Sequence, residues 1–167
     1  MIKPPSLFKD YTLIFSGDPA LDLPDFTPVE ASDEDKQKAI DARILALKNA
    51  RDTGQWPLKQ GESPTLFHFA SDPGLARDYF DAEVQRAHAR KKPLSVQEMA
   101  VIAFRIMLRK VENAGGLKVE FEDVDGYRIV SAAFVEKLYA IPEIGRMLVQ
   151  ELGSLAFERM IDPLPFT

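Results

Sequence analysis

The sequence of 167 residues contains no cysteine, and this absence removes several kinds of chemistry at once. Without a thiol there is no disulfide framework, no cysteine nucleophile and no thiolate ligand for a metal ion. The composition fits a protein that is kept in a reducing compartment, so we expect a cytoplasmic location.

Long apolar runs are also missing, and none approaches the roughly 20 apolar residues that a membrane-spanning helix requires. The first residues, with Lys3, Pro4 and Pro5 among them, do not form the apolar core of a signal peptide. We therefore expect no membrane association.

Basic residues are outnumbered by acidic ones, 21 against 26, which gives a net charge of −5. Strong attraction to a nucleic-acid backbone requires a basic face, so nucleic acid is an unfavoured partner. The charge is nevertheless uneven: residues 18–35 hold seven acidic and no basic side chains, and residues 86–110 hold seven basic ones against Glu98 alone. Such runs are usually solvated faces, but they could also be complementary patches in head-to-tail or partner contacts.

Signatures of catalysis and of metal binding are absent as well. The two histidines, His68 and His88, do not belong to a metal-ligand spacing pattern, and there is no Gly-x-Ser-x-Gly motif. Strand alternation places His68 on the face opposite to Phe67 and Phe69, as an edge or interface residue. The sequence therefore assigns no catalytic residue, no cofactor and no metal ligand, and an enzyme with an unrecognised site stays as an alternative.

Proline is concentrated at the beginning of the chain, with five of the twelve prolines in residues 1–32. Because proline lacks a backbone donor and restricts the residue before it, we expect an extended arm at residues 1–32. The arm is apolar enough to lie along the domain or along a neighbouring subunit, which would make a homo-oligomer. Its candidate interaction residues are Leu7, Phe8 and Phe15.

Residues 33–167 are predicted to form a single helix-rich domain. Helices are expected at 33–53, from Pro73 to about residue 85, at 95–112, at 132–139 and at 142–160, and strands at 11–15, 64–69, 117–122 and 127–130. In the helix at 33–53, Ile40, Ile44 and Leu47 recur at helical spacing as an apolar stripe, and the helices at 95–112 and 142–160 would form the core. The expected class is α+β and predominantly helical, with four to five helices and a small β-hairpin or sheet element.

Two further features are candidate protein-interaction sites. Trp56 lies in a loop beside Pro57, and tryptophan is enriched at binding hot spots. A basic cluster follows at the end of the second predicted helix; its members are Arg86, Arg90, Lys91 and Lys92.

Several segments carry a resemblance to a known group of proteins. They are residues 17–21, 56–58 leading to 64–69, 103–108 running into 111–113, and Glu151-Leu152-Gly153. Through these scattered segments the chain resembles small tailed-bacteriophage morphogenesis proteins, of the tail-assembly-chaperone type or a neighbouring tail component. The resemblance implies a helical, non-enzymatic protein that binds other phage tail or assembly proteins, in the host cytoplasm or in the virion. A bacterial adaptor or regulatory module unrelated to phage is the main alternative.

Overall fold

The computed structural model describes residues 10–24, 32–70 and 74–161. These residues form five helices and five strands, which confirms the α+β, predominantly helical class. In chain order they are β1 Tyr11–Leu13, α1 Asp33–Thr53, β2 Leu66–Phe69, α2 Gly74–Ala89, α3 Val96–Met107, β3 Leu108–Glu112, β4 Phe121–Val124, β5 Tyr127–Val130, α4 Ala132–Tyr139 and α5 Gly145–Ile161. Much of the predicted arm, residues 1–9 and 25–31, lies outside the described residues. Its division from a domain at 33–167 therefore stays a prediction.

The chain divides into two compact units. The larger unit comprises residues 1–15 and 66–167, and the smaller unit comprises residues 16–65. Both sheets, and all helices except α1, belong to the larger unit.

The core of the larger unit is built around α3 and α5, as the sequence predicts. The two helices approach so closely at Gly153 that a Cβ atom built there would lie 2.2 Å from the carbonyl oxygen of Ala100. Only glycine permits this separation. The most deeply buried large side chains include Phe67, Phe69, Phe104, Phe134, Leu138 and Leu152.

The predicted helix at 95–112 is wrong over its last five residues. Helix α3 begins with a capping box of Ser95 and Glu98 but ends at Met107, and the chain continues directly as β3. Strand β3 pairs antiparallel with β2, which lies between β1 and β3 in a three-stranded sheet. Pairing with β2 provides hydrogen bonds to the backbone of residues 108–112 and buries Leu108 completely. These tertiary interactions outweigh the helical pattern of the local sequence.

Strands β4 and β5 form the predicted hairpin, although the first strand is shifted. It begins at Phe121 instead of residue 117 and extends to Val124, so the turn contains only Asp125 and Gly126. Both turn residues have positive φ, 51° and 84°, which is the backbone that a two-residue hairpin requires. The longer predicted turn was wrong because Val124 pairs with Tyr127 across the hairpin.

Other helix boundaries differ modestly from the predictions. Helix α2 continues to Ala89 rather than fraying at residue 86, and its predicted start at Pro73 lies outside the described residues. Helix α5 begins at Gly145 and not at Pro142, because Glu143 has a φ of 68° and interrupts the helical backbone.

The smaller unit contains α1, which has the predicted bounds and is capped by Ser32 and Gly54. Leu47 and Ala50 are its buried residues. Two residues of the predicted apolar stripe are exposed instead, Ile40 at 41% and Ile44 at 59%. Periodicity identifies the apolar side of a helix but not whether anything covers it.

Candidate functional site

A cleft of about 530 Å³ lies in the larger unit beside the β4–β5 hairpin. We call it the hairpin cleft. It is lined by Tyr79 of α2, Ile106 of α3, Arg109 of β3, and the hairpin residues Phe121, Gly126, Tyr127, Arg128 and Ile129. Its volume falls within the range of about 300–1,000 Å³ that is typical of ligand sites.

Two guanidinium groups, those of Arg109 and Arg128, give the cleft its charge. Burial lowers the pKa of Arg109, the neighbouring Arg128 lowers it further, and the Asp10 carboxylate partly offsets both effects. The ion pairs found among the described residues join neither arginine to a carboxylate. The cleft therefore concentrates positive charge in a protein that is acidic as a whole.

Aromatic rings form the walls of the hairpin cleft. Tyr79 meets Tyr127 edge-on, with ring centroids 5.6 Å apart. The Arg128 guanidinium carbon lies 4.6 Å from the centroid of the Phe121 ring, at cation–π distance. Although Arg128 is directly across the hairpin from Asp123, its side chain lies over this ring.

Two neighbouring arginines hold the hairpin in place. Arg86 of α2 donates to Glu83 at 2.5 Å and to Asp125 at 2.7 Å. These contacts, led by the hydrogen bond to Asp125, raise the pKa of Arg86. Arg105 of α3 donates from Nε to the carbonyl oxygen of Val130 at 2.9 Å and from Nη2 to Glu122. Both arginines pair with carboxylates of the protein, whereas Arg109 donates to carbonyl oxygens and Arg128 lies over the Phe121 ring.

The chemistry that the lining of the hairpin cleft can perform is recognition. Guanidinium groups donate hydrogen bonds to anions and stay charged at every physiological pH, so they do not serve as a general base. Burial and the Glu83 carboxylate raise the pKa of Tyr79, which keeps its phenol neutral. The arrangement suits binding of an anionic group that has an apolar neighbour.

A second polar arrangement lies on the face of the three-stranded sheet opposite to Phe67 and Phe69. The Thr12 hydroxyl is 2.9 Å from His68 Nδ1, and His68 Nε2 is 3.6 Å from the Glu112 carboxylate. This order of hydroxyl, imidazole and carboxylate resembles a catalytic triad, but 3.6 Å exceeds hydrogen-bond distance. Lys110 also forms an ion pair with Glu112 at 2.6 Å. This contact is the main cause of the lowered pKa of Glu112. The Glu112 carboxylate therefore serves an ion pair.

His68 itself lies where alternation predicts, facing away from the core. Its strand is the central one of three, so it is not an edge residue. Within residues 10–24, 32–70 and 74–161, no group of three or more histidine, aspartate and glutamate side chains could hold a metal ion.

The predicted interaction residues are dispersed. Leu7 and Phe8 lie outside the described residues, and Phe15 lies in the core of the larger unit with 5% of its surface exposed. Trp56 is half-buried in the smaller unit. In the basic cluster, Arg86 forms the two ion pairs described above, and the remaining three residues are exposed at the end of α2: Arg90, Lys91 and Lys92.

Exposed aliphatic side chains form another surface feature. In the smaller unit, α1 exposes Leu45 at 58% in addition to Ile40 and Ile44. In the larger unit, Val96 and Met147 are 68% and 64% exposed. A hydrogen bond from Gln150 to the carbonyl oxygen of Gln97 joins α3 and α5 one turn or less from these two residues, so both lie at the same end of the helix pair.

Sequence reasoning missed Arg109 and Arg128 as a pair. They are 19 residues apart, and Arg109 fell inside a predicted helix. Residues 108–112, Leu-Arg-Lys-Val-Glu, do not alternate, so no local signal would have placed Arg109 on a strand beside the hairpin.

Comparison with known proteins establishes no relationship: no family model matches the sequence, no curated protein is significantly similar, and no solved structure matches the fold. None of the helices in the described part of the chain is long and apolar enough to cross a membrane.

Proposed function

We propose that this protein works without catalysis, by binding other proteins during phage tail assembly or in the virion. It acts as an assembly chaperone or as a tail component, in the host cytoplasm or in the particle. The phage setting rests on the sequence resemblance, and the binding role rests on surface features of the fold. The predicted arm at residues 1–32 is the proposed contact for a homo-oligomer.

The observation that carries the binding role is the exposure of three aliphatic side chains on α1. Ile40, Ile44 and Leu45 are 41%, 59% and 58% exposed. Exposed apolar clusters cost solvation free energy, and in soluble proteins they commonly mark surfaces that a partner covers. The exposed Asp41 between them supplies part of the charged rim that is typical of such an interface.

Two other functions compete with this proposal. A bacterial adaptor or regulatory module would use the same surfaces outside a phage setting. An enzyme would need a nucleophile, acid or base in a cleft. The lining of the hairpin cleft consists of aromatic, aliphatic, arginine and glycine residues, which favours binding.

Co-expression with the proteins of neighbouring genes tests the proposal. A stoichiometric complex with a tail-tube or tape-measure protein, measured by size-exclusion chromatography with light scattering, supports it. A complex only with a bacterial regulatory protein supports the adaptor alternative and overturns the phage setting. If this protein elutes separately from the product of every neighbouring gene, the binding role is overturned.

A further inference from the structure

We propose that the hairpin cleft binds a carboxylate-bearing peptide segment of a partner protein, with Arg109 and Arg128 recognising the carboxylates. This inference rests on the protein-binding function proposed above. It adds where the partner binds and the chemistry of the bound segment.

The first argument is charge. Within the described parts of the chain, Arg86 and Arg105 are paired with Asp125 and Glu122, whereas Arg109 and Arg128 form no ion pair with a carboxylate. Two cations in one cleft repel each other: burial is the main cause of the lowered pKa of Arg109, repulsion by Arg128 adds to it, and the Asp10 carboxylate offsets only part. A bound carboxylate would relieve it.

The second argument is hydrogen-bonding capacity. A guanidinium has five N–H donors. In the described structure Arg109 donates only to the carbonyl oxygens of Leu108 and Arg128, both at 3.5 Å, the outer limit of a hydrogen bond. Most of its donors are therefore available for the two-pronged contact that arginine makes with a carboxylate.

The third argument is the shape and composition of the walls. Tyr79, Phe121 and Tyr127 give the cleft an apolar lining next to its positive charge. Tyrosine and arginine are the residues most often found at the energetic centres of protein interfaces. A volume of about 530 Å³ accepts a few side chains of a peptide, not a folded domain surface.

A peptide carboxylate fits this cleft better than a nucleic-acid backbone. The carboxylates of Glu83, Glu122 and Asp125 lie beside residues that line the cleft, and the whole chain carries a net charge of −5. Continuous phosphate contacts would bring a backbone against these carboxylates, whereas isolated carboxylates can bind between the two arginines.

Fluorescence anisotropy with the full chain tests the proposal. The probe is a fluorescein-labelled peptide of alternating glutamate and alanine, about a dozen residues long, and its control replaces every glutamate by glutamine. We expect the glutamate peptide to bind, more weakly as salt is raised. R109Q and R128Q should each weaken binding about tenfold, the loss of one charge-assisted contact. The matched control R146Q removes an exposed arginine that does not line the cleft and should change affinity less than about twofold.

Several results would overturn the proposal. They are equal binding of the two peptides, no binding of either, unchanged affinity in R128Q, or a loss in R146Q as large as in R128Q. Tighter binding of single-stranded oligothymidylate than of the peptide would assign the cleft to nucleic acid. Circular dichroism checks folding: both arginines are exposed, and if R109Q nevertheless fails to fold, R128Q decides the test. A stable partner complex that is insensitive to R128Q would leave the protein-binding function standing and remove the cleft from it.

Discussion

At the scale of single residues, Tyr11 has an unusual environment. Its ring stacks on Phe69 with centroids 5.5 Å apart. The Arg159 guanidinium carbon also lies over the Tyr11 ring, 4.0 Å from its centroid. Its hydroxyl is buried and has no hydrogen-bond partner among the described residues. A buried polar group without a partner costs about 1–3 kcal/mol of stability.

Substitution Y11F is therefore expected to stabilise the protein. Phenylalanine keeps the ring contacts and removes the unpaired hydroxyl, so the free energy of unfolding should rise by about 1 kcal/mol. Urea denaturation at neutral pH measures the change. A loss of stability would show that the hydroxyl has a partner after all.

The same residue predicts how stability depends on alkaline pH. Burial raises the pKa of Tyr11, and Arg159 opposes only part of that shift. The pKa of Tyr11 in the folded protein lies above its unfolded value of about 10. The stability that depends on the neutral phenol is therefore complete below about pH 10 and is lost as pH rises beyond it. Unfolding curves at rising pH should show a shallower alkaline loss in Y11F than in the wild type. Identical slopes would contradict the burial of the phenol.

At the scale of elements, the junction of α3 and α5 sets the architecture of the larger unit. Glycine in a helix normally costs about 1 kcal/mol relative to alanine. At Gly153 the steric effect decides instead, because an added Cβ would lie 2.2 Å from the Ala100 carbonyl oxygen.

Substitution G153A should destabilise the protein by about 1–3 kcal/mol, since the helices must separate to admit the methyl group. Gly116 is the matched control: it has open space around the same added atom and no positive φ, so G116A should be neutral or slightly stabilising. Thermal unfolding of both variants measures the difference. A G153A variant as stable as G116A would mean that the helices are not in contact at this point.

Elements specified by local chemistry were predictable from the sequence, and those specified by distant pairing were not. The helix starts at Ser32, Ser95 and Ser131 follow from side chains that bind the backbone three residues onward. The conversion of residues 108–112 into a strand depends on β2, about 40 residues earlier in the chain, and no local pattern records it. The hairpin cleft was missed for the same reason, since it brings Arg109 and Arg128 together only through that conversion.

At the scale of the whole molecule, the exposed aliphatic residues of α1 should matter for binding and not for folding. The double variant I44E/L45E should unfold within about 0.5 kcal/mol of the wild type, because both side chains already face solvent. K48E is the matched control, an exposed charge change on the same helix that leaves the aliphatic residues in place. A large loss of stability in I44E/L45E would mean that another part of the same chain covers these two side chains.

The central claim, that this protein acts by binding another protein, is tested most directly by light-scattering mass measurement of co-expressed complexes. We predict that the wild type and K48E elute in a complex with a neighbouring gene's product at the summed mass. The I44E/L45E variant should elute separately from it. Two results would contradict the account. One is separate elution of the wild type from every neighbour, and the other is a complex that persists both in I44E/L45E and in R128Q.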